Sequence, residues 1–228
     1  QSGCRPEGGS VSLKLLIKPI QFFRLISLIA TYIMGAGLVQ FVASIRNEWT
    51  LIEGLLLLIL VVLTQDYLQA LMVFSDSANQ RADLSESEIR RMRYVYAIAA
   101  GGLSTIAVFI FVHWMLNGYL NQNAFALLAL FVAVTALLII ANRREAWRPL
   151  LPLIEAVQVI ILSPALAFFL QSREYHALLF MSSVGLIPVY LANRLLHGLM
   201  SYADDLRTEN KTAVMIMGWQ NAMLLHNA

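Results

Sequence analysis

The chain has 228 residues, of which 59% are hydrophobic and 13% charged, with a mean hydropathy of +0.68. Soluble domains carry about 25% charged residues, so this composition excludes an ordinary soluble globular domain. The formal net charge of +2 excludes a nucleic-acid partner, and the single cysteine, Cys4, excludes both an internal disulfide and a cysteine–histidine metal framework.

Gln1 to Ser12 hold Gly, Ser and Pro without an apolar run and read as a flexible tail. Residues 13–228 read as one transmembrane domain. Leu13 to Phe23 mixes Lys14, Lys18 and Pro19 with Leu, Ile and Phe, as an interfacial helix does. Apolar runs then recur near 22–45, 50–74, 94–116, 124–141, 151–170 and 177–201. A bilayer crossing needs roughly 20 such residues. A seventh run begins near 213, and the chain stops inside it at Ala228, so truncation of a longer protein is expected. The runs are continuous rather than alternating, which favours helices over barrel strands. The predicted fold is an all-α polytopic transmembrane helical bundle, six spans plus the start of a seventh.

Orientation follows from the positive-inside rule. With the N-terminus in the cytoplasm, inside segments hold 13 Lys and Arg, Arg24 among them, against Arg46 and Arg173 outside. Two charged loops then share the inner face: Ser75 to Asp83, after the second span, and Tyr202 to Thr212, after the sixth.

The second loop carries adjacent carboxylates, Asp204 and Asp205, followed by Arg207 and Lys211. Magnesium takes one or two carboxylates plus substrate phosphates, and the two cations suit phosphate oxygens. A solvated connector would carry similar charge. The first loop adds Asp76 and Asp83 with Arg81 between them, and Glu86–Arg90 follows at helical i,i+4 spacing.

Polar side chains also lie within the spans: Gln65, Asp66 and Gln69 in the second, Glu155 and Gln158 in the fifth, Asn193, Arg194 and His197 in the sixth. An ionisable group inside a membrane faces protein or a watery cavity and marks function by default. Asn193, His197 and Ser201 form a stripe ending beside Asp205. Helix–helix hydrogen bonding is the other reading of such a stripe. His113 and Trp114, near the end of the third span, read as interface anchors.

Three segments together resemble the UbiA superfamily of intramembrane prenyltransferases. They are Lys18-Pro19 before the first span, Glu155 with Ser163-Pro164 in the fifth, and Asp205 through Lys211-Thr212 to Gly218. The branch most similar prenylates 1,4-dihydroxy-2-naphthoate. Its aspartate motifs are degenerate here: His197, Ser201 and Asp205 stand at the three positions of the second, and Asp76 and Asp83 represent the first. The resemblance implies nine helices and a Mg²⁺ held by Asp76, Asp83, Asp204 and Asp205 as catalytic residues. It implies that Arg81, Arg207 and Lys211 hold an isoprenyl diphosphate, and that Asn193 and His197 line the acceptor or phosphate pocket. The implied reaction moves an isoprenyl group from its diphosphate to an aromatic, quinone-precursor-like acceptor. The alternative is a non-catalytic UbiA-like subunit that binds lipid, quinone or pigment beside partner subunits of a membrane complex. Either would sit among the lipids of a bacterial cytoplasmic membrane.

Overall fold

The computed structural model describes residues 21–42, 47–76, 86–172, 176–207 and 212–227, with the side chains of 73–76, 203–205, 207 and 225–227 left out. Its elements are helical, with no strand among the described residues. Six are long and apolar enough to cross a membrane: α1 (Phe22–Val42), α2 (Glu48–Asp76), α3 (Glu86–Leu116), α4 (Gln122–Arg143), α5 (Glu145–Gln171) and α6 (Ala177–Arg207). These are the six expected spans, and the chain is an integral membrane protein built as a helical bundle. The N-terminal tail and the interfacial stretch with Lys14 and Lys18 lie outside the described residues.

α3 starts eight residues before the apolar run at 94. Its extra two turns are amphipathic, opened by Glu86 and Glu88, acids that suit a helix N-terminus. The seventh run differs more. It forms two short helices, α7 (Ala213–Met217) and α8 (Trp219–Asn227), separated by Gly218 at φ +78°. That backbone conformation is open to glycine and costly for other residues.

α5 is the most enclosed span and touches α1, α2, α4 and α6. It begins as a 3-10 turn over Glu145–Leu150 and passes into a π-helical stretch over Val157–Leu162 before Ser163-Pro164. Pro164 has no N–H to give Ile160, and its ring crowds that carbonyl, so the turn before it widens. Without a hydrophobic drive between helices in lipid, close packing and polar contacts hold such bundles. Gly35 of α1 lies so close to Pro164 that a Cβ there would collide with its backbone. Thr31 Oγ1 donates to Val159 O at 2.7 Å and Ser163 Oγ to Leu28 O at 3.2 Å, which stitches α1 to the widened turn.

The end of the bundle away from the acidic loops has its own polar lock. Trp114 Nε1 donates to Glu53 Oε2 at 2.6 Å, with His113 Nε2 3.9 Å from the other oxygen. Trp114 is fully buried. It therefore ties α3 to α2 instead of anchoring in the lipid interface as expected, because its indole N–H finds a carboxylate inside the bundle.

Candidate functional site in the membrane interior

α1 delivers Arg24 in its first turn, on the side facing α2, and the side chain is fully buried. It forms an ion pair with Asp66, itself 2% exposed. Arg24 Nη2 also approaches Val62 O at 3.4 Å, and Asp66 Oδ2 accepts the Gln21 backbone N–H at 3.1 Å. Val62 and Asp66 are one turn apart, so one face of α2 meets the guanidinium twice.

A second pair joins α5 to α6. Arg194 Nη2 lies 2.6 Å from Glu155 Oε2, with Glu155 4% exposed. One turn before Arg194, the buried Tyr190 sets its ring against Phe23, the neighbour of Arg24. Gln65, next to Asp66, and Gln158, three residues after Glu155, approach one another and bring the two pairs to one level of the bundle. The two pairs therefore form a single cluster rather than isolated bridges. Beside it, Gln158 Nε2 donates to Thr135 Oγ1 at 2.8 Å and approaches Gln65 Oε1 at 3.4 Å. α1, α2, α4, α5 and α6 all contribute.

The cluster is neutral in formal charge, with two arginines and two acids, but it is rich in donors. Arg24 Nε and Nη1 and Arg194 Nε are buried and donate to no acceptor among the described residues. Gln65 Nε2 is a further donor of this kind, whereas Gln158 Oε1 and Gln21 Oε1 are buried acceptors without a partner among the described residues. Buried N–H groups are almost always paired with protein or with bound molecules. Unpaired groups of this kind are several kcal/mol costlier in hydrocarbon than in water, and the arginine N–H groups among them suit an oxyanion.

The interior cluster lies below the acidic helix ends. Asp66 precedes Asp76 by ten residues on α2, and Arg194 precedes Asp204 by ten on α6. At 1.5 Å per residue each interval is about 15 Å. α2 ends at Asp76 and α6 runs past Asp204 and Asp205 to Arg207, and the side chains of all four lie outside the described residues. Arg81, Asp83 and Lys211 lie wholly outside them. Asn193 is half-buried beside Arg194, and His197 is exposed with its ring 5.5 Å from that of Phe23. Phe23 also stacks on Tyr190 at 5.6 Å. Phe23 and Arg24 thus wedge the start of α1 between α6 and α2.

Among the described residues no three of His, Cys, Asp and Glu come together. The two interior carboxylates are each engaged by an arginine. This part of the site therefore offers Mg²⁺ no free carboxylate cluster. Sequence reasoning marked Asp66, Glu155 and Arg194 as costly in a span but read Arg24 as a loop cation. The missed signal was an arginine just inside an apolar run in a chain that also buries unmatched acids.

The chain has no match among family models, curated proteins or solved structures.

Proposed function

We propose that the protein is a UbiA-like membrane prenyltransferase that moves an isoprenyl group from a diphosphate donor to an aromatic, quinone-precursor-like acceptor. The observation that carries this reading is the donor-rich arginine cluster, buried among five spans below two helix ends that carry aspartates. When the allylic C–O bond breaks, negative charge grows on the departing diphosphate. Donors already fixed in a low-dielectric interior stabilise that charge more than they stabilise the ground state. Arg194 lies 13 residues before Arg207 on the same helix, about 20 Å, so its role falls to the deeper end of the substrate, while Arg207 and Lys211 belong to the diphosphate grip through the family resemblance. The stacked Phe23 and Tyr190, with His197 at their edge, supply aromatic surface for an acceptor or an allylic chain. Mg²⁺ held by Asp76, Asp83, Asp204 and Asp205 belongs to the proposal through the family resemblance. The bacterial cytoplasmic membrane belongs to it likewise, with the N-terminus inside by the positive-inside rule.

A second reading, a non-catalytic subunit that binds lipid, quinone or pigment in a larger complex, is favoured by the matched charges of the interior pairs. Paired charges that cancel need no ligand to be tolerated in the interior, because each offsets the burial cost of the other. Release of inorganic diphosphate from geranylgeranyl diphosphate separates the two. With 1,4-dihydroxy-2-naphthoate as acceptor, the purified protein is expected to release diphosphate, and Asp205→Asn to lower the rate by about 100-fold or more. A folded wild-type protein without turnover on any aromatic acceptor would leave the subunit reading.

A further inference from the structure

α3 packs on α2, and its opposite face looks outward. On that face Ser87, Arg91, Tyr94, Ile98, Gly102 and Thr105 recur at steps of three and four, a single stripe along the helix, and all six are exposed. A cavity of about 800 Å³ lies along the upper part of the stripe, lined by Glu86, Arg90, Arg91, Tyr94, Val95 and Ile98. Below it the face is bare, because a Cβ added at Gly101 or Gly102 would meet nothing within 4 Å.

The polarity of this face changes in a definite order. Two arginines come first, then a phenol, then branched aliphatic side chains, then bare helix backbone. An anionic phospholipid presents the complementary order: phosphate, ester level, acyl chain. Arginine is the residue that binds phosphate oxygens in pairs. Tyrosine favours the headgroup level of a bilayer. Glu86 stands 3.7 Å from Arg90 in an exposed pair, which holds little energy and yields readily to a phosphate.

We propose that this outer face of α3 is a binding site for an anionic phospholipid, its phosphate held by Arg90 and Arg91 and an acyl chain lying over Ile98 and the bare Gly101–Gly102 stretch. α2 stands between this face and the interior cluster, so the site does not rest on the prenyl-transfer reading.

The test uses the full chain, purified in detergent and stripped of lipid. It is titrated with phosphatidylglycerol or phosphatidylcholine of matched chains, and bound lipid is counted by native mass spectrometry. Wild type is expected to prefer phosphatidylglycerol. At about 1 kcal/mol per basic residue near an anionic surface, Arg90→Gln with Arg91→Gln should weaken phosphatidylglycerol by on the order of thirtyfold, leaving phosphatidylcholine unchanged. Glu86→Gln should strengthen phosphatidylglycerol, a change of opposite sign that loss of folding cannot imitate. Inorganic phosphate, which has the charge without the chain, should not displace the lipid. Equal affinity for the two lipids, indifference to the arginine substitutions, or displacement by free phosphate would each overturn the proposal. So would a lipid-free dimer that Gly102→Leu dissociates, since the face would then belong to a second copy of the chain.

Discussion

Removing the negative charge from Asp66 leaves Arg24 buried among α1, α2 and their neighbours with no counter-ion. Asp66→Asn is therefore expected to destabilise the detergent-solubilised protein by about 3–5 kcal/mol, as breaking one half of a buried pair does. Replacing both partners, Arg24→Leu with Asp66→Leu, removes the stranded charge together with its cost and should recover most of that loss in thermal unfolding. If the single and double variants unfold alike, the pair is not the unit described here. Under the prenyl-transfer reading the double variant stays inactive even where stability returns, because the donors of Arg24 are gone. Stability and activity should thus part company at this one position. Much of the cluster was visible in the sequence as single costly residues: Asp66, Glu155 and Arg194 all interrupt apolar runs. Their pairing was not visible, because which charges meet depends on how α1 and α6 are rotated about their axes, and a span that is apolar nearly all round carries little rotational signal.

At the scale of the helices, the joint between α1 and α5 is the tightest the glycines reveal. Gly35→Ala is expected to cost about 1–3 kcal/mol through overpacking against Pro164. Gly37→Ala, two residues on with nothing within 4 Å of an added Cβ, should be neutral or stabilising by up to about 1 kcal/mol. Denaturant or thermal unfolding of the two variants side by side checks the contrast. Equal effects would mean that α1 does not approach α5 as described. Element existence was legible because six long apolar runs separated by short charged connectors leave few other solutions. Four of the six spans start within two residues of their expected places, while α3 and α5 begin eight and six residues before the apolar runs that announced them. The break at Gly218 was less legible, since an apolar run hides a single glycine whose positive φ is set by what surrounds it. The π-helical turn was hidden for a related reason: Pro164 announces a disturbance but not its form.

For the molecule as a whole, orientation and convergence decide function. Arg24 leaves the loop tally once it is seen buried, and the inside bias falls only from 13 to 12 against 2. On a Cys4→Ser background, Ser87→Cys is expected to react with a membrane-impermeant maleimide in inside-out vesicles only, and Asn117→Cys in intact cells only. The reverse pattern would put the acidic helix ends on the opposite side of the membrane. The most direct measurement is the distance between the two acidic ends themselves. Spin labels at Asp76→Cys and Asp205→Cys, again without Cys4, report it by double electron–electron resonance on the full chain in a lipid nanodisc. If α2 and α6 open onto one mouth with the start of α1 between them, the labels should lie roughly two helix spacings apart, about 20 Å. A distance of about 35 Å or more, beyond three such spacings, would place the aspartates at separate surfaces and contradict the shared site.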